Sequence, residues 1–133
     1  MASRLLSDLD PRFRPLASRL IEECRAVAIP VTVITTLRSF KEQEQAVASG
    51  TSWTMKSKHL PHEPEGKSLA IDICPTALLT EKNWAPKHPL WWRIGAIGRR
   101  LGLRWGGDWS GVGPSEVGVP RKKWDPGHFE WRG

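Results

Sequence analysis

Two histidines and two aspartates set the chemical possibilities of this chain: His59, Asp72, Asp125 and His128. Imidazole nitrogens and carboxylate oxygens are donors from which catalytic zinc sites are built, and such a site takes three protein ligands and keeps a fourth position for water. His59, Asp72 and His128 supply two imidazoles and one carboxylate. Zinc held in this way lowers the pKa of water to roughly 7, and hydrolysis then needs a base to take the proton. Asp125, three residues before His128, is the nearest carboxylate. On a straight strand those two positions face opposite ways. Pro126-Gly127 between them predicts a turn, which would bring both side chains within reach of one metal.

Taken singly, each residue has a plainer reading. His59 sits in Ser57-Lys58-His59, a loop where solvent usually claims a histidine. Asp72 could be a strand-edge charge, Asp125 could only start a turn, and Arg38 after a strand could serve a surface ion pair.

The elements that must position these residues follow from apolar spacing. Asp10 as N-cap and Pro11 at the first helical position open a helix. Phe13, Leu16, Ala17, Leu20, Ile21, Cys24 and Val27 give it one apolar stripe, ending before Pro30. Val31 to Thr36 is β-branched throughout and predicts a buried strand. Ser39-Phe-Lys-Glu42 fits a capping box for a helix that stops at Gly50. Residues 51 to 67 lack apolar periodicity and read as a loop. Ser68 to Cys74 alternates as a short strand stopping at Pro75. A third helix begins near Pro89, buries Leu90, Trp91, Ile94, Ile97 and Leu101, and ends at Gly102. Leu103 to Trp109 and His128 to Trp131 are strands flanking a Gly/Pro-rich excursion. The expected fold is α+β: a small, mainly antiparallel sheet with helices packed against it, in a single domain over residues 1–133.

At 133 residues the chain is long enough to build a core without staples. Its net charge of +6 favours anionic partners. The basic residues are scattered, with short clusters at Arg99-Arg100 and Arg121-Lys122-Lys123. That suits a general attraction to polyanions such as an acidic cell wall, and nucleic acid is not the expected partner. Cys24 and Cys74 form no CxxC pair and are expected to be reduced and buried. No signal-peptide apolar region opens the chain and no run is long enough to span a membrane, so synthesis in the cytoplasm is expected. Eight tryptophans accompany no tyrosine. Trp91 or Trp92 belongs to the core, whereas Trp105 and Trp109 beside Gly-Gly suit a substrate groove or a structural role equally.

Ser-x-His, then Ala-x-Asp at a strand, then an acid three residues before a histidine followed by an aromatic, resembles the D-Ala-D-Ala carboxypeptidase/dipeptidase family of zinc peptidases. The likeness is strongest to its phage-type branch, the L-alanyl-D-glutamate endopeptidase endolysins. Arg38-Ser39-Phe-Lys-Glu42-Gln43 and the Trp-Gly-Gly-Asp-Trp segment at 105 to 109 resemble further segments of that branch. The resemblance runs from about Thr36 to Trp131. It implies a zinc ion on His59, Asp72 and His128, with Asp125 as general base. Arg38 would anchor the substrate carbonyl where an oxyanion develops, and Ser57, Gln43 and Trp109 would line or support the substrate site.

The resemblance further implies a monomer that cuts peptidoglycan stem peptides, most naturally at the L-Ala–D-Glu bond, after release from the cytoplasm during phage lysis. A D-Ala-D-Ala carboxypeptidase of the same family is the nearest alternative. A non-catalytic basic module that binds wall or nucleic acid is the alternative from another class. Two departures stand out. The family's His-x-x-Gly-x-Ala-x-Asp is stretched, with His59 and Asp72 thirteen residues apart and Ser68 in place of the glycine. The added residues can loop out at little closure cost, but they bring in His62 as a rival ligand. Glu130, on the strand face of His128, is the rival to Asp125 as base.

Overall fold

The apolar stripe of the first third of the chain winds into helix α1, Arg14–Ala26, which buries Ala17, Leu20 and Cys24. The computed structural model describes residues 2–49, 57–79, 88–109 and 125–133. The expected stop at Gly50, the loop at 51–56, the Gly/Pro-rich excursion at 110–124 and the Arg121-Lys122-Lys123 cluster lie outside the described residues. Helix α1 starts at Arg14, not at Pro11. Asp10 does cap the chain there, but it closes a turn before the helix. Its carbonyl accepts the N–H groups of Phe13 and Arg14 at 2.9 Å each, while its carboxylate is held by the Arg12 backbone N–H and guanidinium at 2.8–2.9 Å.

Strand β1 is Val31–Thr35. Helix α2, Phe40–Ala48, opens on the expected capping box: Ser39 Oγ accepts from the Glu42 N–H and the Glu42 carboxylate accepts from the Ser39 N–H. Strand β2 is Ala70–Pro75 and runs directly into a short helix α3, Thr76–Leu79. Helix α4, Pro89–Arg100, begins at Pro89 as expected and closes where the Gly102 N–H bonds to the Arg99 carbonyl. Strands β3, Arg104–Trp105, and β4, His128–Glu130, complete a sheet of order β1-β2-β4-β3. Every pairing is antiparallel. The described residues therefore form an α+β domain of four helices and a four-stranded antiparallel sheet.

The strand ends shift by one or two residues at β1, β2 and β4, and two strands depart further, β1 in burial and β3 in extent. Strand β1 is half-buried along most of its length, because it lies at an edge of the sheet. Strand β3 covers only Arg104–Trp105, since Gly106–Asp108 curls into a 3-10 turn. There the Gly106 carbonyl accepts from the N–H groups of Trp109 and Asp125, which pulls the backbone away from the β4 ladder.

Side-chain alternation divides the sheet into two faces. Ile71, Ile73 and Phe129 join Leu20, Trp91 and Ile94 in the core between sheet and helices. Asp72 and His128, paired across β2 and β4, project from the other face, as do Ala70 and Glu130 two positions along. Trp91 is fully buried, whereas Trp92 is 39% exposed and meets Trp105 edge-on. Both cysteines are free and buried. Among the described residues no helix is long and apolar enough to cross a membrane.

The contact between α4 and β4 is unusually close. A methyl group at Gly98 would overlap the ring of Phe129, which is fully buried and cannot swing aside. Helix propensity favours alanine over glycine by about 1 kcal/mol, but overpacking a core costs about 1–3 kcal/mol. Gly98→Ala is expected to lower stability in urea denaturation. An unchanged or raised midpoint would show that the helix can shift to accept the methyl.

Candidate metal centre

His59 is carried by a turn that its neighbours fix from both sides. The Ser57 hydroxyl accepts from the His59 N–H at 3.1 Å, and the Arg38 N–H bonds to the His59 carbonyl at 2.9 Å. The imidazole is 2% exposed. Its Nδ1 donates to the Thr36 carbonyl at 2.7 Å; a carbonyl can only accept, so the proton is assigned to Nδ1 and the Nε2 lone pair is left facing inward.

His128 stands at the end of a turn that begins at Asp125, where the His128 N–H bonds to the Asp125 carbonyl at 3.2 Å. The Trp-Gly-Gly-Asp-Trp segment is the scaffold for this turn. Trp105 is buried and its indole N–H donates to the Pro126 carbonyl at 2.7 Å. The Asp125 N–H bonds to the Gly106 carbonyl at 3.2 Å. Any side chain at Gly106 would run into the Asp125 carbonyl, so glycine is what lets the two backbones approach. Of the two roles open to Trp105, the structural one applies. Asp108, for its part, pairs with the Arg99 guanidinium.

Asp72 links the two histidines. One carboxylate oxygen lies 3.1 Å from His59 Nε2 and the other 3.0 Å from His128 Nδ1. The far nitrogen of His128, Nε2, bonds to Glu130 at 2.9 Å. Among the described residues, His59, Asp72 and His128 form a group whose ligand atoms all lie within 4.8 Å of one another. His62 is not in that group. Its Nδ1 bonds to the Leu60 carbonyl at 2.6 Å, and its backbone closes the 62–67 turn.

The donor set fits a metal ion. His59 Nε2 is buried and has no hydrogen bond of acceptable geometry, although Asp72 is near. A buried lone pair with no donor to meet it is costly unless a cation takes it. Each imidazole also has its other nitrogen held by a carbonyl or carboxylate, the outer arrangement that orients histidine ligands.

The electrostatics are those of the metal-free site, where protons on the imidazoles occupy positions that a cation would take. Burial works to raise the Asp72 carboxyl, but His59 and His128 outweigh it and hold the group well below the carboxylate range. Burial likewise opposes a proton on His128, yet hydrogen bonds to Asp72 and Glu130 push that imidazole up to about 10. The same contact outweighs burial at Glu130 and lowers it. At Asp125 the balance is reversed. Burial and then the charge of Asp72 push it up to about 6, against the opposing fields of His128, His59 and Arg38. Two carboxyl groups on one centre are thus set apart, one held as an anion and one near the range of a general base.

The remaining expected residues lie around the same centre. Arg38 donates to the side chain of the fully buried Gln43 at 3.0 Å. The Trp109 ring lies 4.8 Å from the His128 ring, tilted by 44°. Ser57 engages backbone at the His59 turn. Spacing alone did not disclose the Thr36 carbonyl, and Glu130 meets the His128 imidazole directly. The one sequence signal for the latter is its position two residues after His128 on a strand, hence on the same face.

Comparison with known proteins adds a lineage. A family model described as phage L-alanyl-D-glutamate peptidase matches residues 2–131. The L-alanyl-D-glutamate peptidase of Listeria phage A118 is 32% identical over 95 residues, 71% of this chain and 32% of that protein. The chain therefore spans about a third of the length of that relative. Among solved structures, the L-Ala D-Glu endopeptidase ChiX of Serratia marcescens superposes with a TM-score of 0.62 at 23% identity, over 98% of this chain and 87% of the other. The vancomycin-resistance D,D-pentapeptidase VanY, solved with Zn(II), gives 0.56 at 17% identity, over 94% and 73%. These two likenesses are of fold.

Proposed function

The chain belongs to the phage L-alanyl-D-glutamate peptidase family, and from that premise we propose that it is a zinc peptidase hydrolysing the L-Ala–D-Glu bond of peptidoglycan stem peptides. The observation that carries the reading is the convergence of His59, Asp72 and His128 on one point, with the buried Asp125 carboxyl in the field of the same charges. We read residues 1–133 as one catalytic domain, acting as a monomer on the wall after phage-type release from the cytoplasm.

In this reading His59 Nε2, an Asp72 oxygen and His128 Nδ1 hold the metal. Zinc suits two imidazoles and a carboxylate, and when bound it supplies a Lewis acid that makes water a nucleophile near neutral pH. Asp125 takes the proton of the attacking water and returns it to the leaving amine. Arg38, steadied by Gln43, places positive charge where the carbonyl oxygen becomes an oxyanion. Ser57 keeps the His59 turn in place, and Trp109 walls the centre beside His128. Glu130 keeps the His128 ring oriented through Nε2.

Mass spectrometry of purified peptidoglycan fragments after digestion tests the reaction. New L-Ala carboxyl ends with matching D-Glu amino ends are expected. Loss of a terminal D-Ala alone would make the protein a carboxypeptidase of the wider family, and no cleavage by zinc-replete protein would return it to a wall-binding module.

The net charge of +6 leads to a separate expectation. Exposed charges are screened over about 8–10 Å at physiological ionic strength. Lysis of cells stripped of their outer membrane should therefore fall from low to high salt, while cleavage of a short neutral peptide changes little. Equal salt sensitivity for both substrates would rule out steering by the wall.

A further inference from the structure

A second cluster of charge lies on the same sheet face as the metal centre, two residues along the strands. A pocket there is lined by Lys58, Arg104, Glu130, Trp131 and Arg132. Arg104 stands opposite Glu130 across the β3–β4 ladder, and Glu130 is the residue bonded to His128. The pocket thus adjoins the ligand set through one side chain.

Its charge is unbalanced. Three cations face one carboxylate, and that carboxylate already bonds to His128. No ion pair joins Lys58, Arg104 or Arg132 to another charge among the described residues. Arg104 shares the Glu130 face of the sheet through the β3–β4 register, and Lys58 and Arg132 line the same pocket. Guanidinium and ammonium groups that line one pocket without an ion-pair partner offer only donors, and a planar guanidinium matches a carboxylate with two parallel hydrogen bonds.

We propose that Lys58, Arg104 and Arg132 form a carboxylate-binding subsite beside the metal centre, which takes the free carboxylate of the substrate's glutamyl residue. The proposal rests on the peptidase reading above and adds to it the group that is recognised. A glutamate linked through one carboxyl keeps the other as an anion. Converting that anion to a carboxamide would remove its charge and turn an N–H₂ toward groups that can only donate. The subsite accordingly makes the protein a discriminator between free and amidated glutamyl peptides.

Calorimetry on zinc-loaded protein tests this with a short peptide that begins with D-glutamate, its non-linking carboxyl either free or amidated. Charge-assisted hydrogen bonds of this type are worth about tenfold or more in affinity. The wild type should bind the free form at least about tenfold more tightly. A double variant, Arg104→Gln with Arg132→Gln, should keep its zinc and bind the two forms within about twofold of each other, since a neutral amide forms only the weaker class of hydrogen bond. Equal binding of both peptides by the wild type would overturn the subsite. So would a preference that survives in the double variant, because the metal and not the pocket would then be reading the carboxylate. Hydrolysis of an intact stem peptide, followed on the same preparations, separates the two readings. Carboxylate preference without hydrolysis counts against the reaction and for the subsite, and hydrolysis without preference does the reverse.

Discussion

Alanine at His59, Asp72 or His128 is expected to take zinc content from about one ion per chain to near none, and hydrolysis with it. A three-ligand site has no spare donor, so each loss leaves two groups that cannot hold the ion against water. The three substitutions should differ in their effect on the protein itself. Asp72 is bonded to one imidazole and close to the other, so Asp72→Ala also leaves the buried His128 ring with Glu130 as its one carboxylate partner among the described residues. That variant should be the least stable of the three, because a buried polar group that loses its partner costs about 1–3 kcal/mol. His59→Ala loses one such bond, from Nδ1 to the buried Thr36 carbonyl, whereas its Nε2 has none to lose, so its cost should be smaller than that of Asp72→Ala. His62→Ala is the comparison, with metal and activity both nearly unchanged. Metal analysis and thermal melts of the four proteins check this. A His62→Ala protein stripped of metal beside a metal-replete His59→Ala would reverse the assignment.

Asp125→Asn should retain fold and zinc but lose at least about 10²-fold in turnover, the lower end expected when a general base is removed. Asparagine is nearly the same size and can keep the Asp125–His128 turn, which is made by backbone atoms. What it cannot do is accept a proton, so the deficit belongs in kcat and not in KM. Glu130→Gln should behave differently. Its oxygen can still accept from His128 Nε2–H, and losing the negative charge should weaken zinc by about 10–100-fold, as changes to outer partners of histidine ligands do. With saturating zinc, much of its activity should return. If Glu130→Gln is inactive with zinc bound while Asp125→Asn remains active, the role of base passes to Glu130.

Features coded by neighbouring residues were legible in the sequence. The Ser39–Glu42 capping box, the start of α4 at Pro89 and its close at Gly102 each depend on a few adjacent positions. The His59, Asp72 and His128 set was legible as a pattern in order, although what joins its members is the β2–β4 register. Features that depend on strand order were not. Val31 to Thr36 reads as buried from its β-branched run, and only its place at the sheet edge leaves it half-exposed. Helix α3 is four residues long, too short to show a period. Gly106-Gly107 looks like part of a strand until the 125–128 turn is seen to claim the Gly106 carbonyl. The cationic pocket was likewise hidden, because Lys58, Arg104 and Arg132 come from a turn, from β3 and from the segment after β4.

The two cysteines set how the fold behaves when its surroundings change from reducing to oxidising. Both thiols are shut in the interior, and burial pushes Cys24 up to about 11. Thiol–disulfide exchange and peroxide attack proceed through the thiolate, a form this environment nearly eliminates at neutral pH. The two cysteines form no disulfide and the proposed metal ligands include no sulfur, so no oxidation step has to precede activity. A protein assembled beside glutathione and then exposed to air would keep the same covalent structure in both places.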